Sequence, residues 1–167
     1  MSFCTVLHTL NSPQNVGMIV RSHVAYGGNE VVFVGHELPW RFKKGSQAFS
    51  RKLERQVEIL HFPNESDFFI WANSKQYSVV AIEIDKESIL LNDFDFPDRC
   101  AIVVGNEAKG LSETFMKQCL AVVTIPQKGK VGSLNVAVSA SIAMYELRRN
   151  TGSWSEISGN KYKGEFA

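Results

Sequence analysis

The last apolar run of the chain leads into the segment Ile125-Pro-Gln-Lys-Gly-Lys-Val-Gly-Ser-Leu-Asn-Val136, and a long helical pattern follows it. Ile125 and the proline after it end the predicted strand, two glycines bracket a cationic loop, and Ser133 and Asn135 stand at the start of the helix. Either polar residue can cap the helix, whose first N–H groups have no partner within it. Capping explains one polar residue but does not require a pair of them after two glycines and a proline.

Two earlier segments also place Gly, Asn, Ser or a charged residue just after an apolar run. The segment Asn11-Ser-Pro-Gln-Asn-Val-Gly-Met-Ile-Val-Arg21 follows the first apolar run, and Val104-Gly-Asn-Glu-Ala-Lys-Gly110 begins at the end of another. Ligand sites in open α/β sheets gather at the carboxyl ends of strands. We therefore expect these three distant segments to meet around one pocket.

The polar residues of the two earlier segments also have purely structural interpretations. Asn15 lies at a helix start and Arg21 six residues further on. The pair fits a phosphate-binding site, but taken alone it fits better a helix cap with a surface ion pair. Glu107 fits a ligand loop and an exposed acid in a tight connection equally well.

Apolar runs of strand length alternate with amphipathic segments along all 167 residues. This alternation predicts an α/β fold with a mostly parallel sheet flanked by helices. The last helix is apolar most of the way round, which indicates burial on more than one side and packing on a partner subunit. We expect one domain over residues 1–150 and a C-terminal tail over 151–167. Predicted strands cover residues 3–8, 31–34, 57–62, 78–84, 101–104 and 121–125, and predicted helices cover 14–26, 46–53, 65–75, 112–118 and 135–149.

Several familiar functions are excluded by the motifs. The spacing of Gly105 and Gly110 resembles a P-loop, but Leu111 and Ser112 follow where a phosphate-binding lysine is needed. No dinucleotide fingerprint or nucleophile elbow is present. The four histidines and three cysteines show no ligand spacing, so we predict no metal. No apolar run is long enough to cross a membrane and the start lacks a signal-peptide pattern, so we expect a cytoplasmic protein without a membrane partner.

The net charge is only +1, so the molecule as a whole is not basic and the local distribution of charge matters more. Six basic residues crowd one stretch and make it a candidate RNA-binding surface, since neutralising phosphates dominates affinity for nucleic acids. A solvated basic face explains the same residues equally well. The six are Arg41, Lys43, Lys44, Arg51, Lys52 and Arg55.

Taken together, the three segments resemble the ordered motifs of the SpoU/TrmH family, the RNA 2'-O-ribose methyltransferases of the SPOUT superfamily. That family shows N-x-G-x-x-x-R, then G-x-E-x-x-G, then I-P-x-x-G-x-x-x-S-L-N-V. The resemblance extends over residues 3–149. The chain supplies Asn11, Pro13, Asn15, Gly17 and Arg21 in the first segment, then Gly105, Glu107 and Gly110, then Ile125, Pro126, Gly129, Ser133, Leu134, Asn135 and Val136.

The resemblance implies a C-terminal deep trefoil knot, although most chains avoid knots. It also implies that the knot forms a pocket for S-adenosyl-L-methionine and that the protein is a homodimer. The cofactor would lie against Ile82, Glu83, Gly105, Ile125, Ser133 and Leu134.

The implied reaction moves a methyl group from the sulfonium to a ribose 2'-oxygen of RNA. Its implied catalytic residues are Arg21, Asn15, Glu107, Ser133 and Asn135. The family counterpart of Arg21 is often assigned as the base, but an arginine stays protonated in proteins. Gripping the 3'-phosphate and stabilising the developing alkoxide is a physically easier role.

The RNA substrate is less defined. Small single-domain members of the family often act on tRNA, and the sequence shows no separate RNA-binding domain, so we favour tRNA. A ribosomal RNA 2'-O-methyltransferase, a base methyltransferase and a non-catalytic RNA-binding knot protein remain alternatives.

Overall fold

The computed structural model describes residues 1–35 and 52–150 of the chain. Seven strands form one sheet in the order β3-β2-β1-β6-β4-β7-β5, and every strand pairing is parallel. The strands are β1 Ser2–His8, β2 Glu30–Val34, β3 Glu58–Phe62, β4 Ser78–Ile82, β5 Ile89–Leu90, β6 Arg99–Val104 and β7 Ala121–Thr124. The predicted α/β class with a parallel sheet is thus confirmed.

Four α-helices accompany these strands in the described residues. They are α1 Pro13–Ala25, α2 Glu65–Ser74, α3 Glu113–Met116 and α4 Val136–Asn150, and 3-10 turns form at Leu53–Arg55 and Leu91–Asp93. All four were predicted from the sequence to within a few residues. The predicted helix over 46–53 and the tail over 151–167 lie outside the described residues, apart from positions 52 and 53.

Local sequence sets the helix starts. The Ser12 side chain accepts a hydrogen bond from the Asn15 N–H, and Pro13 occupies the first turn of α1, where a missing N–H costs nothing. Asn64 caps α2 and Ser112 caps α3 in the same way. For α4 the cap is Asn135, whose Oδ1 accepts from the Ala137 N–H at 2.9 Å.

The core forms two layers because alternate strand residues point to opposite faces of the sheet. On the first face, Phe3 and Leu7 pack with residues of α1 and α4, including Ile19, Ala140 and Leu147. On the second face, Cys4 and Val6 pack with α2 and α3 through aromatic residues. The parallel sheet is therefore buried on both sides, as its near-continuous apolar strands require.

Strand order places the candidate segments together. β6 lies between β1 and β4, and β7 lies on the other side of β4. The loops that leave β1, β4, β6 and β7 therefore emerge at one edge of the sheet. Within residues 1–35 and 52–150, no helix is long and apolar enough to cross a membrane, and no cluster of His, Cys, Asp or Glu is arranged to hold a metal.

Candidate functional site

A cleft of about 610 Å³ opens at the carboxyl ends of β4, β6 and β7. Its volume lies within the range of small-molecule sites. All six residues predicted to bind a cofactor line it, namely Ile82, Glu83, Gly105, Ile125, Ser133 and Leu134. Asn15, Glu107 and Asn135 line the same cleft, so the structure brings the three sequence segments together.

The loop after β6 is a tight turn that depends on two glycines. A Cβ on Gly105 would lie 2.5 Å from the carbonyl carbon of Gly110, so only glycine allows the backbone to close on itself. Gly110 has a φ of +65°, and a Cβ there would lie 2.5 Å from the Glu83 carboxylate. That carboxylate accepts the N–H of Leu111 at 3.1 Å, which ties the loop to the end of β4.

Glu107 joins this loop to the segment after β1. Its carboxylate accepts the N–H groups of Asn11 and Ser12, each at 3.0 Å, and the Asn15 side-chain amide at 3.1 Å. Burial raises the pKa of this carboxyl, but the hydrogen bonds from Asn11, Asn15 and Ser12 outweigh burial and hold the pKa below its usual value. Glu107 is therefore an anion at neutral pH and acts as an acceptor only.

A carboxylate at this point fixes the direction of a hydrogen-bond chain. Asn15 must turn its Nδ2 toward Glu107, so its Oδ1 faces away and accepts the Asn135 Nδ2 at 3.1 Å. Asn135 must then present its own Oδ1 to the start of α4, where it accepts from Ala137. The chain connects all three segments and gives each amide a single orientation.

Arg21 lies elsewhere in the monomer. It is exposed on α1 and lines a second cavity of about 460 Å³ between α1 and α4. This cavity is lined by apolar side chains such as Met18, Val138 and Tyr145. The cleft of one chain is thus lined by Asn15, Glu107, Ser133 and Asn135 but not by Arg21.

The candidate RNA-binding cluster is described only in part. Arg41, Lys43, Lys44 and Arg51 lie outside the described residues. Lys52 and Arg55 are exposed at the start and end of the turn Leu53–Arg55.

The family follows from comparison with known proteins. The model of the SpoU rRNA Methylase family matches residues 2–145 of the sequence. The chain belongs to the SpoU family. It is 30% identical over 150 residues to an uncharacterized tRNA/rRNA methyltransferase of Mycobacterium leprae and 32% identical over 149 residues to one of Mycobacterium sp. strain KMS. Each match covers 86% of this chain, but the chain spans less than half of those relatives, 46% and 45%.

Solved structures of related proteins superpose on the same fold. The AdoMet-bound rRNA methyltransferase of Sinorhizobium meliloti has a TM-score of 0.82 at 26% identity, covering 91% of this chain and 57% of its own. The AviRb methyltransferase of Streptomyces viridochromogenes, in complex with AdoMet, has a TM-score of 0.79 at 26% identity, with coverage of 90% and 58%. A structure described as giving insights into the 2-OH methylation of C/U34 on tRNA has a TM-score of 0.77 at 25% identity and covers 91% of this chain and 98% of its own.

Sequence reasoning missed other residues that line the cleft of this SpoU protein. Asn106 stands between two residues that were singled out, and Thr124 and Gln127 flank Ile125. Asn106 carried a usable signal, since an Asn after a strand often forms side-chain hydrogen bonds to the backbone of a turn. Thr124 and Gln127 carried none, because their exposure to the cleft depends on how the loop after β7 is placed.

Proposed function

We propose that this protein transfers a methyl group from S-adenosylmethionine to a ribose 2'-hydroxyl of RNA. The observation that carries this proposal is the hydrogen-bond chain from Glu107 through Asn15 to Asn135, which ties all three family motifs around one cleft. A binding module without catalysis has no evident need for such a fixed set of polar groups at the mouth of a cofactor site.

The cleft residues fit S-adenosylmethionine, which two related structures contain. The apolar part of the lining, including Ile82, Leu111 and Leu134, suits the adenine ring. The polar part, including Thr124 and Ser133, suits the ribose and the amino acid portion. When bound, the cofactor supplies an electrophilic methyl group on a positively charged sulfur.

The remaining task for the protein is to orient the sugar hydroxyl and stabilise it as its proton leaves. Asn15, Ser133 and Asn135 present amide and hydroxyl groups at the cleft, and Glu107 fixes the orientation of the two amides. A guanidinium beside the reacting ribose would hold the 3'-phosphate and stabilise the developing alkoxide. We assign that role to Arg21, because a permanently protonated side chain is a poor base.

Arg21 would act at the cleft of a second copy. Its position on the apolar surface between α1 and α4, away from the cleft of its own chain, supports a homodimer that packs these helices together. On that surface two large apolar residues of α4, Val138 and Tyr145, remain 45% and 47% exposed. We propose the trefoil knot on the same family grounds, supported by TM-scores near 0.8 that extend over about 90% of the chain.

We favour tRNA as the substrate. The support is the related structure concerned with methylation of C/U34 on tRNA, which superposes on 91% of this chain with a TM-score of 0.77. A ribosomal RNA substrate is the second candidate, because the S. meliloti enzyme is an rRNA methyltransferase.

A labelling experiment tests the proposal. The protein is incubated with S-adenosyl-[methyl-³H]methionine and either total tRNA or ribosomal RNA prepared from cells lacking its gene, and the product is hydrolysed with alkali. Label in alkali-resistant dinucleotides from tRNA is the expected result. Label in mononucleotides would indicate base methylation, label only in ribosomal RNA would overturn the choice of substrate, and no label in either RNA would contradict the activity.

A further inference from the structure

Asn106 forms the closest direct link between the loop after β6 and the turn after β1. Its Nδ2 donates to the Thr9 carbonyl oxygen at 2.8 Å, and its Oδ1 accepts the N–H groups of Ala108 at 3.0 Å and Lys109 at 3.1 Å. The backbone carbonyl of Asn106 also accepts the Gly110 N–H at 2.8 Å. One side chain therefore both closes its own loop and holds a neighbouring one.

The Thr9 backbone is held in an unusual conformation. Its φ of +53° is uncommon for a β-branched residue. The Thr9 N–H donates to the Val34 carbonyl at 2.9 Å, and its methyl group lies where a Cβ on Gly35 would come within 2.7 Å. A strained residue persists where its surroundings determine it, and here the end of β2 binds the Thr9 N–H while the Asn106 amide binds the Thr9 carbonyl.

Two residues after Thr9 the chain reaches the groups that Glu107 binds, the N–H groups of Asn11 and Ser12. The Asn106 contact and the Glu107 contacts therefore act on the same short stretch of backbone from adjacent positions. We propose that Asn106 is a positioning residue, whose amide sets the distance at which Glu107 meets the segment 11–15. The inference concerns the same site as the proposed methyl transfer and, for its effect on catalysis, rests on that proposal.

Asn106→Asp separates the two tasks of the side chain. A carboxylate still accepts from Ala108 and Lys109, but it presents an oxygen to the Thr9 carbonyl in place of the N–H donor. The loop after β6 should stay closed, since two of its hydrogen bonds do not involve the changed atom. The Gly110 N–H still donates to the Asn106 carbonyl, and the Leu111 N–H still donates to the Glu83 carboxylate. Only the contact with the turn after β1 is lost.

Residue-resolved hydrogen exchange of the whole protein, followed by NMR, detects the loss of this contact. In Asn106→Asp we expect exchange at the Asn11 and Ser12 amides to accelerate about tenfold or more, while Gly110 and Leu111 keep their wild-type rates. Asn106→Ala, which removes all three side-chain bonds, should accelerate exchange at Ala108 and Lys109 as well. Asn92→Asp is the matched control, because Asn92 is exposed and bonds only to Asp93 among the described contacts.

Unchanged exchange at Asn11 and Ser12 in Asn106→Asp would overturn the assignment. Equal acceleration throughout 108–111 would also overturn it, since the loop after β6 would then have opened as a whole and the effect on Asn11 and Ser12 would not come from the Thr9 contact. If the variant does not fold, the wild-type Asn106 side-chain amide protons decide: protection from solvent exchange supports the contact with Thr9, and exchange as fast as at an exposed amide contradicts it.

A kinetic arm connects the contact to the reaction. With the RNA that accepts label, turnover by Asn106→Asp should fall about tenfold or more, since small displacements of orienting groups are costly, and the Kd for S-adenosylmethionine should change less than about threefold. A parallel loss of cofactor affinity would count against a positioning role. If wild-type protein transfers no methyl group, the proposed function fails, and the exchange experiment still tests the inference by itself.

Discussion

The two faces of the sheet are covered by different chemistry. On the first face α1 and α4 pack with aliphatic and alanine side chains, and their outer surface continues into the apolar cavity lined by Met18 and Tyr145. On the second face α2 and α3 pack through rings. Phe68 lies among Phe62, Phe69, Trp71 and Phe115, stacked on the last with the ring centroids 6.3 Å apart.

This difference separates two tasks. The second face is packed largely within one chain, because Phe68 and Phe115 are fully buried and the other rings of the cluster are half-buried against them. Its exposed residue Ile70 stands on the outer side of α2. The first face leaves apolar side chains exposed beside Arg21, as expected for a surface that another copy covers. We infer that the second face mainly supports stability and that the first also supports assembly and catalysis.

The largest expected effect is on the second face. Phe68→Ala removes a fully buried ring from the aromatic cluster and should lower the free energy of unfolding by about 3–5 kcal/mol. Urea titration followed by circular dichroism measures this change. Ile70→Ala is the control on the same helix, 69% exposed, and should stay within about 0.5 kcal/mol of wild type. Equal losses in the two variants would show that the aromatic cluster contributes no more to the free energy of unfolding than an exposed apolar side chain does.

On the first face, Arg21→Ala should lower turnover about 10²–10³-fold, as expected when a group that stabilises developing charge is removed. Calorimetry should show nearly unchanged binding of S-adenosylmethionine, because the proposed contacts of Arg21 are with the phosphate and ribose of the RNA and not with the cofactor. The matched control is Arg99→Ala, an arginine near the second face that stacks on Tyr77 and donates to the Lys75 carbonyl. A comparable loss of turnover in Arg99→Ala would remove the distinction between the faces.

A smaller effect is expected on assembly. Val138→Glu places a charge on the apolar surface of α4 and should weaken self-association at least about tenfold, because the carboxylate would be buried without a partner. Sedimentation equilibrium of the variant against wild type measures the dissociation constant. Ile70→Glu, which adds the same charge to α2, should leave it unchanged. Wild-type protein that sediments as a monomer at all concentrations would contradict the homodimer.

The smallest effect is a pH dependence that arises on the first face. Burial, with the nearby positive charge of Arg148, lowers the pKa of His23 to about 4 from 6.5 in the unfolded chain, although backbone contacts with Asn29 and Gly28 oppose the shift. Below pH 6.5 the unfolded chain therefore binds the extra proton, and stability falls by about 1 kcal/mol between pH 7 and pH 5.5.

Unfolding curves at several pH values check this, and His23→Gln is the control because glutamine does not titrate. Its stability should vary less over the same interval, whatever its absolute stability. Glu107 does not contribute to the change over this interval. Because its pKa is lowered in the folded protein, the stability that it contributes is fully present above the usual carboxyl pKa and is lost only as the pH falls below that range. A wild-type slope as shallow as that of His23→Gln would show that His23 is not responsible.

The sequence predicted the elements of both faces well, because strand-length apolar runs and caps such as Ser112 are local signals. It did not reveal β5, since two residues, Ile89 and Leu90, are too short to show a period. It also could not place β6 between β1 and β4, which depends on contacts between distant parts of the chain.

The candidate site likewise combines features that the sequence predicted with features that only the structure shows. Family motifs led to the residues that line the cleft, but the physical link between them, a carboxylate that orients two amides, appeared only with coordinates. Asn15 and Asn135 are 120 positions apart, and no local pattern predicts that their side chains meet. The position of Arg21 outside the cleft could have been predicted, because a residue six positions after Asn15 on a helix has turned to another side.

The contacts of Arg148 determine when the protein can complete its folding during translation. Its guanidinium donates to the carbonyls of Tyr26 and Gly27, at the end of α1, and to that of Met1, while it lies 4.9 Å from the centre of the Phe3 ring. The carbonyls just after α1 are therefore synthesised more than a hundred residues before the side chain that satisfies them. Completion of the domain should follow translation of that codon, and nascent chains stalled upstream of it should remain sensitive to proteases.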